Sequence, residues 1–190
     1  MDAWEETAVL IAQDIRDWSE RVLEVPSMSF AGLPPCPFAR NAWFNESVMI
    51  HVTPSVDAVV EIKAVYPPTD DLMHIFAIVD YDEQSAEEFN AWIDEQNDQH
   101  FGVWLIGSHP DDETNELIGD YESTVADDYA IVIVQSLTHL VEASEQLRKT
   151  GYYSNHSPDD IEYLRKRKEI YDAWKKINPP SQNIDGAEEQ

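Results

Sequence analysis

The sequence predicts a single α/β (α+β) sandwich, in which about four strands form a largely parallel or mixed sheet packed with helices. Short β-favouring runs alternate with helical patterns along the 190 residues. The run over residues 73–79 is almost continuously apolar, which is typical of a strand covered on both faces. The apolar content of 43% suffices for one core. We therefore assign residues 1–177 to one domain and residues 178–190 to a disordered polar tail.

The elements follow from periodicity and from residues that start or stop a helix. Apolar residues three and four apart predict an amphipathic helix over residues 3–23, which Pro26 ends. The proline-rich segment 33–40 excludes helix and connects to the first strand. Ser85 and Glu88 predict a capping box. The predicted strands are 48–52, 73–79, 101–106 and 129–134, and the other predicted helices are 54–66, 85–96, 137–149 and, basic and amphipathic, 157–176.

The charge balance is the strongest global signal. The chain has 12 Lys and Arg against 38 Asp and Glu, a formal net charge of −26. Between Asn41 and Leu147, Lys63 is the only basic residue. Such a field repels phosphates and anionic lipid, so we expect no direct nucleic-acid binding and no membrane partner. The carboxylates either form a solvated surface or present themselves to a basic protein partner, as a decoy or inhibitor does.

The location of the protein is predicted from what the sequence lacks. No apolar run approaches the roughly 18 residues of a membrane span. The N-terminus has no basic and apolar signal pattern. The single cysteine allows no internal disulfide. These features predict a cytoplasmic protein.

Candidate site residues follow the predicted strands. If the first three strands are parallel, their carboxyl ends share one edge of the sheet, where open α/β sheets bind ligands. His51 lies near the end of the first strand, Asp80 follows the second, and Ser108 and His109 follow the third. Cys36 precedes the first strand, in a segment able to reach either end of the sheet.

Two chemistries suit these residues. Cys36 with His109 is a candidate nucleophile and base, because an imidazolium lowers a thiol pKa. Alternatively, His51, His109 and Asp80, with Cys36, are candidate ligands of a divalent metal. Arg40, Asp80 and Ser108 are candidate ligand-binding residues, since a guanidinium suits a carboxylate or phosphate.

Each candidate also has a structural interpretation. Cys36 can be a small buried apolar residue, His109 can hydrogen-bond a loop, and Arg40 can pair with a nearby acid. The dipeptide Cys36-Pro37 matches a minimal haem-regulatory motif, but a dipeptide is too short to identify a haem site.

Two segments resemble a known family. The first helix followed by Gly32-Leu33-Pro34-Pro35-Cys36-Pro37-Phe38-Ala39 looks like the opening of the bacterial domain of unknown function 1415. The segment Leu105-Ile106-Gly107-Ser108-His109-Pro110 is similar to that family's strand ending in Ser-Phe-His-Pro. The family's Asn-Arg-Ser-Pro-Tyr-Pro stretch corresponds to residues 127–132, which lack the arginine and both prolines. The resemblance implies a divergent member and a fold, and it supplies no reaction.

The sequence therefore leaves three functions open. The first is a small-molecule or metal pocket near Cys36, Arg40 and His109, with or without hydrolase-like or redox activity. The second is a non-catalytic acidic interaction protein that docks on a basic partner, and the third is a haem or metal carrier.

Overall fold

The computed structural model describes residues 3–66, 72–99, 102–113, 117–118 and 128–179. Four strands and six α-helices make up the described fold. The strands are β1 (Val48–Thr53), β2 (Met73–Ile78), β3 (Val103–Ser108) and β4 (Ala130–Ser136). The helices are α1 (Ala3–Trp18), α2 (Ala39–Phe44), α3 (Asp57–Val65), α4 (Ala86–Asn97), α5 (Leu137–Leu147) and α6 (Pro158–Ile177).

The sheet is mixed, with the strand order β1-β2-β4-β3. β1 and β2 are parallel, and β4 runs antiparallel to both of its neighbours, β2 and β3. The first three strands therefore point the same way, and β4 is inserted between the second and the third. The predicted fold class, a mixed sheet packed with helices and flanked by N- and C-terminal helices, is confirmed.

Helices cover both faces of the sheet. On the face that we call the α4 face, Phe76 and Val132 pack against Val59 of α3 and Phe89 of α4. The opposite face, here called the α1 face, is covered by α1 and α2 on the side of β1 and β2 and by α5 on the side of β3. Strand residues alternate between the two faces, as the two-residue period of a strand requires.

Helix α4 packs directly on the backbone of β3. A methyl group at Gly107 would lie 2.9 Å from both Ile93 and Phe89, which is closer than real Cβ contacts. Ser85 caps this helix, and its hydroxyl and the Glu88 carboxylate form the predicted capping box. Ser157 and Asp160 form a second capping box at the start of α6.

The first helix extends to Leu23 as predicted, but its last turn, Ser19–Leu23, is π-helical. Ile11, Ile15 and Val22 of the predicted apolar stripe are buried, whereas Trp4 is 48% exposed. The wider turn directs Ser19 and Glu24 inward, and both are buried.

Helix α6 ends at Ile177, and residues 180–190 of the predicted tail lie outside the described residues. Across the described ranges, no helix is long and apolar enough to cross a membrane.

Candidate ligand-binding cavity

His109 lies at the edge of the sheet where β1, β2 and β3 end, and its side chain is fully buried. Its Nδ1 accepts a hydrogen bond from the backbone N–H of Asp111 at 3.1 Å. Its Nε2–H therefore donates, and the carbonyl oxygens of Gln84 and Tyr81 lie 3.2 and 3.4 Å away. Both ring nitrogens thus join the turn after β3 to the turn after β2. This arrangement favours a structural role over a catalytic one.

The predicted metal ligands do not come together. His51 directs its ring at His74, with 3.0 Å between His51 Nε2 and His74 Nδ1, and it stacks on Phe76. Asp80 is exposed in the turn after β2. Within the described ranges, no group of three or more His, Cys, Asp or Glu residues is placed to hold a metal ion. The set of His51, His109 and Asp80 is not assembled, because hydrogen bonds to other groups orient both imidazoles.

Arg40 and Ser108 also differ from the predicted site. Arg40 is 76% exposed, and its Nε lies 3.4 Å from the Glu24 carboxylate, which is the ion pair that the structural interpretation expects. Ser108 is the last residue of β3, beside Ile131 of β4. The carboxyl edge therefore collects Asp80, Ser108 and His109, whereas Arg40 pairs with the end of the first helix.

Glu24 organises the segment around Cys36. Its carboxylate accepts hydrogen bonds from Arg16, from the Ser19 hydroxyl at 3.1 Å and from Arg40. The Trp43 indole donates to the Ser19 hydroxyl at 2.9 Å, which ties α2 to the π-helical turn after α1. Burial alone would raise the pKa of Glu24, but the hydrogen bonds and positive charges outweigh it and hold the pKa below its usual value.

A cavity of about 620 Å³ lies on the α1 face, between the sheet and helices α1, α2 and α5. It extends to the edge where β1 and β2 begin and β4 ends, opposite the edge that carries His109. Its floor is the sheet, and three segments form its walls. The floor residues are Val48, Met73, Ile75, Ile106, Ile131, Ile133 and Gln135. The wall residues include Ile15, Trp18, Ser19 and Leu23, then Pro35, Cys36, Phe38, Ala39, Ala42 and Trp43, and from α5 His139, Leu140, Glu142, Ala143 and Gln146.

The lining is mainly apolar, with most of its polar groups on one side. The polar side chains from the end of β4 and from α5 are Gln135, Ser136, His139, Glu142 and Gln146. Among the described lining residues, Glu142 is the only one with a carboxylate or a basic Lys or Arg side chain. Ligand sites commonly combine a large apolar surface with a few polar groups that fix orientation.

Cys36 belongs to this cavity and not to the edge with His109. Burial raises the pKa of its thiol, and the negative charge of Glu24 raises it further. The thiol therefore stays protonated near neutral pH, which suits an apolar wall better than a nucleophile. Its backbone N–H donates to the Leu23 carbonyl at 3.0 Å, and Tyr152 donates to the Pro35 carbonyl, so both ends of the wall are held.

One side of the cavity was missed by the sequence interpretation. No role was assigned to His139, although it lines the cavity with Glu142 and Gln146. These residues lie three and seven positions apart on α5, the spacing of one helical face. A polar stripe beside the apolar one is the signal that could have identified them.

Comparison of the chain with protein-family models, curated proteins and solved structures gave no match. The resemblance to the domain of unknown function 1415 stays a prediction, carried by the residues around Cys36 and His109.

Proposed function

We propose that this protein binds a small, mainly apolar molecule in the cavity between the sheet and helices α1, α2 and α5. The observation that carries the proposal is the cavity itself. Its volume of about 620 Å³ falls within the roughly 300–1,000 Å³ that is usual for small-molecule sites. The cavity opens to solvent beside α5, and apolar surface gathered in such a groove commonly marks a binding site.

Burial of apolar surface supplies the affinity. Ile75 and Ile131 on the floor are already buried in the core. The apolar surface open to a ligand therefore comes from the half-buried Ile133 and Trp18 and from the exposed Ile106 and Phe38. A ligand that removes this surface from water gains about 25 cal/mol for each Å² of apolar area buried.

The arrangement favours binding over catalysis. The two residues with nucleophile and base chemistry, Cys36 and His109, lie at different edges of the sheet, and only Cys36 lines the cavity. Arg40 does not line it either, since it pairs with Glu24. The part of the sequence prediction that we retain is therefore a small-molecule pocket beside Cys36.

The acidic surface supports a second candidate function, docking on a basic protein. The observation that favours it is that α6 uses part of its positive charge on its own carboxylates, through the pairs of Arg165 with Glu162 and Glu169 and of Lys168 with Asp172. Lys166 pairs with Asp98, which follows α4, so the basic helix offsets only a small part of the formal net charge of −26. Binding of a basic protein that disappears as salt rises, and that persists when the cavity is filled, would support this function.

The test of the cavity uses the neutral fluorescent probe N-phenylnaphthylamine. Two variants fill the cavity from opposite walls, Ala143→Trp on α5 and Ala42→Trp on α2. The matched control is Ala91→Trp, at an exposed position of α4. We expect saturable probe binding to wild type and control, and at least tenfold weaker binding to both filled variants, because the indole occupies the space of the probe.

Circular dichroism and thermal melts of each variant show whether the fold is kept. Saturable binding that the two fillers leave unchanged would place the probe elsewhere and overturn the proposal. Absence of probe binding to the wild type would overturn it as well.

A further inference from the structure

The polar side of the cavity lies at its opening. Helix α5 directs His139, Glu142 and Gln146 toward the cavity, and all three are exposed to solvent. Phe38, which also lines the cavity, is exposed as well. A ligand whose apolar part lies on the floor therefore places its outer end beside these α5 side chains.

The charge at this opening is negative. Glu142 forms no ion pair with any residue in the described ranges. Glu24, the carboxylate next to the Cys36 wall, forms ion pairs with Arg16 and Arg40. The formal net charge of −26 adds a long-range field of the same sign as Glu142.

The aromatic side chains of the lining also favour a cationic ligand. Trp18 and Phe38 belong to the walls, and the faces of aromatic rings attract cations. A carboxylate head group, by contrast, would meet a like charge and no lining Lys or Arg within the described residues. A negative charge at a binding site therefore disfavours ligands with an anionic head group.

We propose that the ligand is an amphiphile, with an apolar body on the isoleucine floor and a cationic amine head group that pairs with Glu142 at the opening of the cavity. This inference rests on the proposed function, since it names the ligand class of the same site.

Three probes with one apolar body test the head group: naphthylethylamine, naphthylethanol and naphthylacetate, which carry a cation, a neutral hydroxyl and an anion. Binding is measured at low salt and one pH by isothermal titration calorimetry, because the naphthyl group absorbs and emits in the same range as tryptophan. We expect affinity to fall in the order amine, alcohol, carboxylate, with about tenfold between the first and the last.

Glu142→Gln removes the proposed partner, and Glu145→Gln is the matched control. Glu145 is an exposed residue of α5 that does not line the cavity. Its replacement changes the net charge by the same amount as Glu142→Gln, so it separates the effect of net charge from that of position. We expect Glu142→Gln to reduce the preference for the amine to about threefold or less and to leave the alcohol unchanged, whereas Glu145→Gln keeps the wild-type order.

Equal affinities for the three probes, or tightest binding of the carboxylate, would overturn the head-group inference and leave the cavity function standing. An amine preference that survives Glu142→Gln would assign it to the overall field and overturn the role of Glu142. Failure of all three probes to bind would overturn the proposed function itself.

Discussion

Replacement of His109 by alanine distinguishes a structural from a catalytic role for this histidine. The imidazole is 1% exposed, and it fills the space between the turns that follow β2 and β3, where Tyr81 and Phe89 pack on it. The substitution removes the acceptor for the Asp111 N–H and the donor for the Gln84 carbonyl. It also leaves an empty volume beside two aromatic rings.

The size of the effect follows from these losses. A buried backbone group that loses its partner costs about 1–3 kcal/mol. Asp111 is exposed, so we expect water to replace one of the two bonds. The lost packing against the aromatic rings adds a comparable amount. We expect the free energy of unfolding to fall by about 3 kcal/mol, which for a chain of this length lowers the melting temperature by about 6–12 °C.

The measurement is urea-induced unfolding followed by tryptophan fluorescence, with Glu61→Ala as the control. Glu61 is exposed on α3, so alanine there should change the free energy of unfolding by less than about 0.5 kcal/mol. A change of under about 0.5 kcal/mol in His109→Ala would refute the structural role. Under conditions in which His109→Ala is folded, it should bind N-phenylnaphthylamine as the wild type does, because His109 does not line the cavity.

Three further predictions concern packing and pH. Gly107→Ala should lower the free energy of unfolding by about 1–3 kcal/mol in a urea titration, because its methyl group would collide with α4; an unchanged midpoint would contradict this close packing. Glu24→Gln should cost about 1–2 kcal/mol near neutral pH, since it leaves Arg16 with one acid fewer. The depressed folded-state pKa of Glu24 means that its contribution is present above the ordinary value of 4.5 and is lost as the pH falls through the folded pKa, so wild type and variant should converge in acid melts. Burial, and to a smaller extent the neighbouring His74, lower the pKa of His51 from 6.5, so the unfolded chain binds more protons than the folded one and the free energy of unfolding should decrease as the pH falls below 6.5. In melts at a series of pH values, His51→Asn should show a weaker dependence of stability on pH than the wild type; the same dependence in both would contradict this contribution of His51.

Local chemistry made much of the fold predictable. The Ser85 and Ser157 hydroxyls cap the helices that the sequence starts there, since a capping box depends on residues three positions apart. The almost continuously apolar run at β2 became a strand buried on both faces. The position of β4 between β2 and β3 was not readable, because strand order depends on contacts between segments distant in sequence.

The site was harder to predict, for the same reason. The cavity combines Trp18 of α1, Cys36 of the proline segment, Ile133 of β4 and Glu142 of α5, and no spacing in the sequence relates them. Cys36 did mark one of its walls. His109 was conspicuous for a different reason, because its buried imidazole hydrogen-bonds backbone groups of two turns.

Isoleucine methyl groups report most directly on the central claim, that the α1 face of the sheet binds an apolar molecule. Ile75, Ile131 and Ile133 lie on the cavity floor, whereas Ile78 and Ile93 belong to the core of the α4 face. In methyl NMR spectra of the wild type titrated with N-phenylnaphthylamine, the account predicts saturable shifts of the three floor residues and unchanged signals from the other two. Shifts confined to Ile78 and Ile93, or no shifts at all, would contradict it.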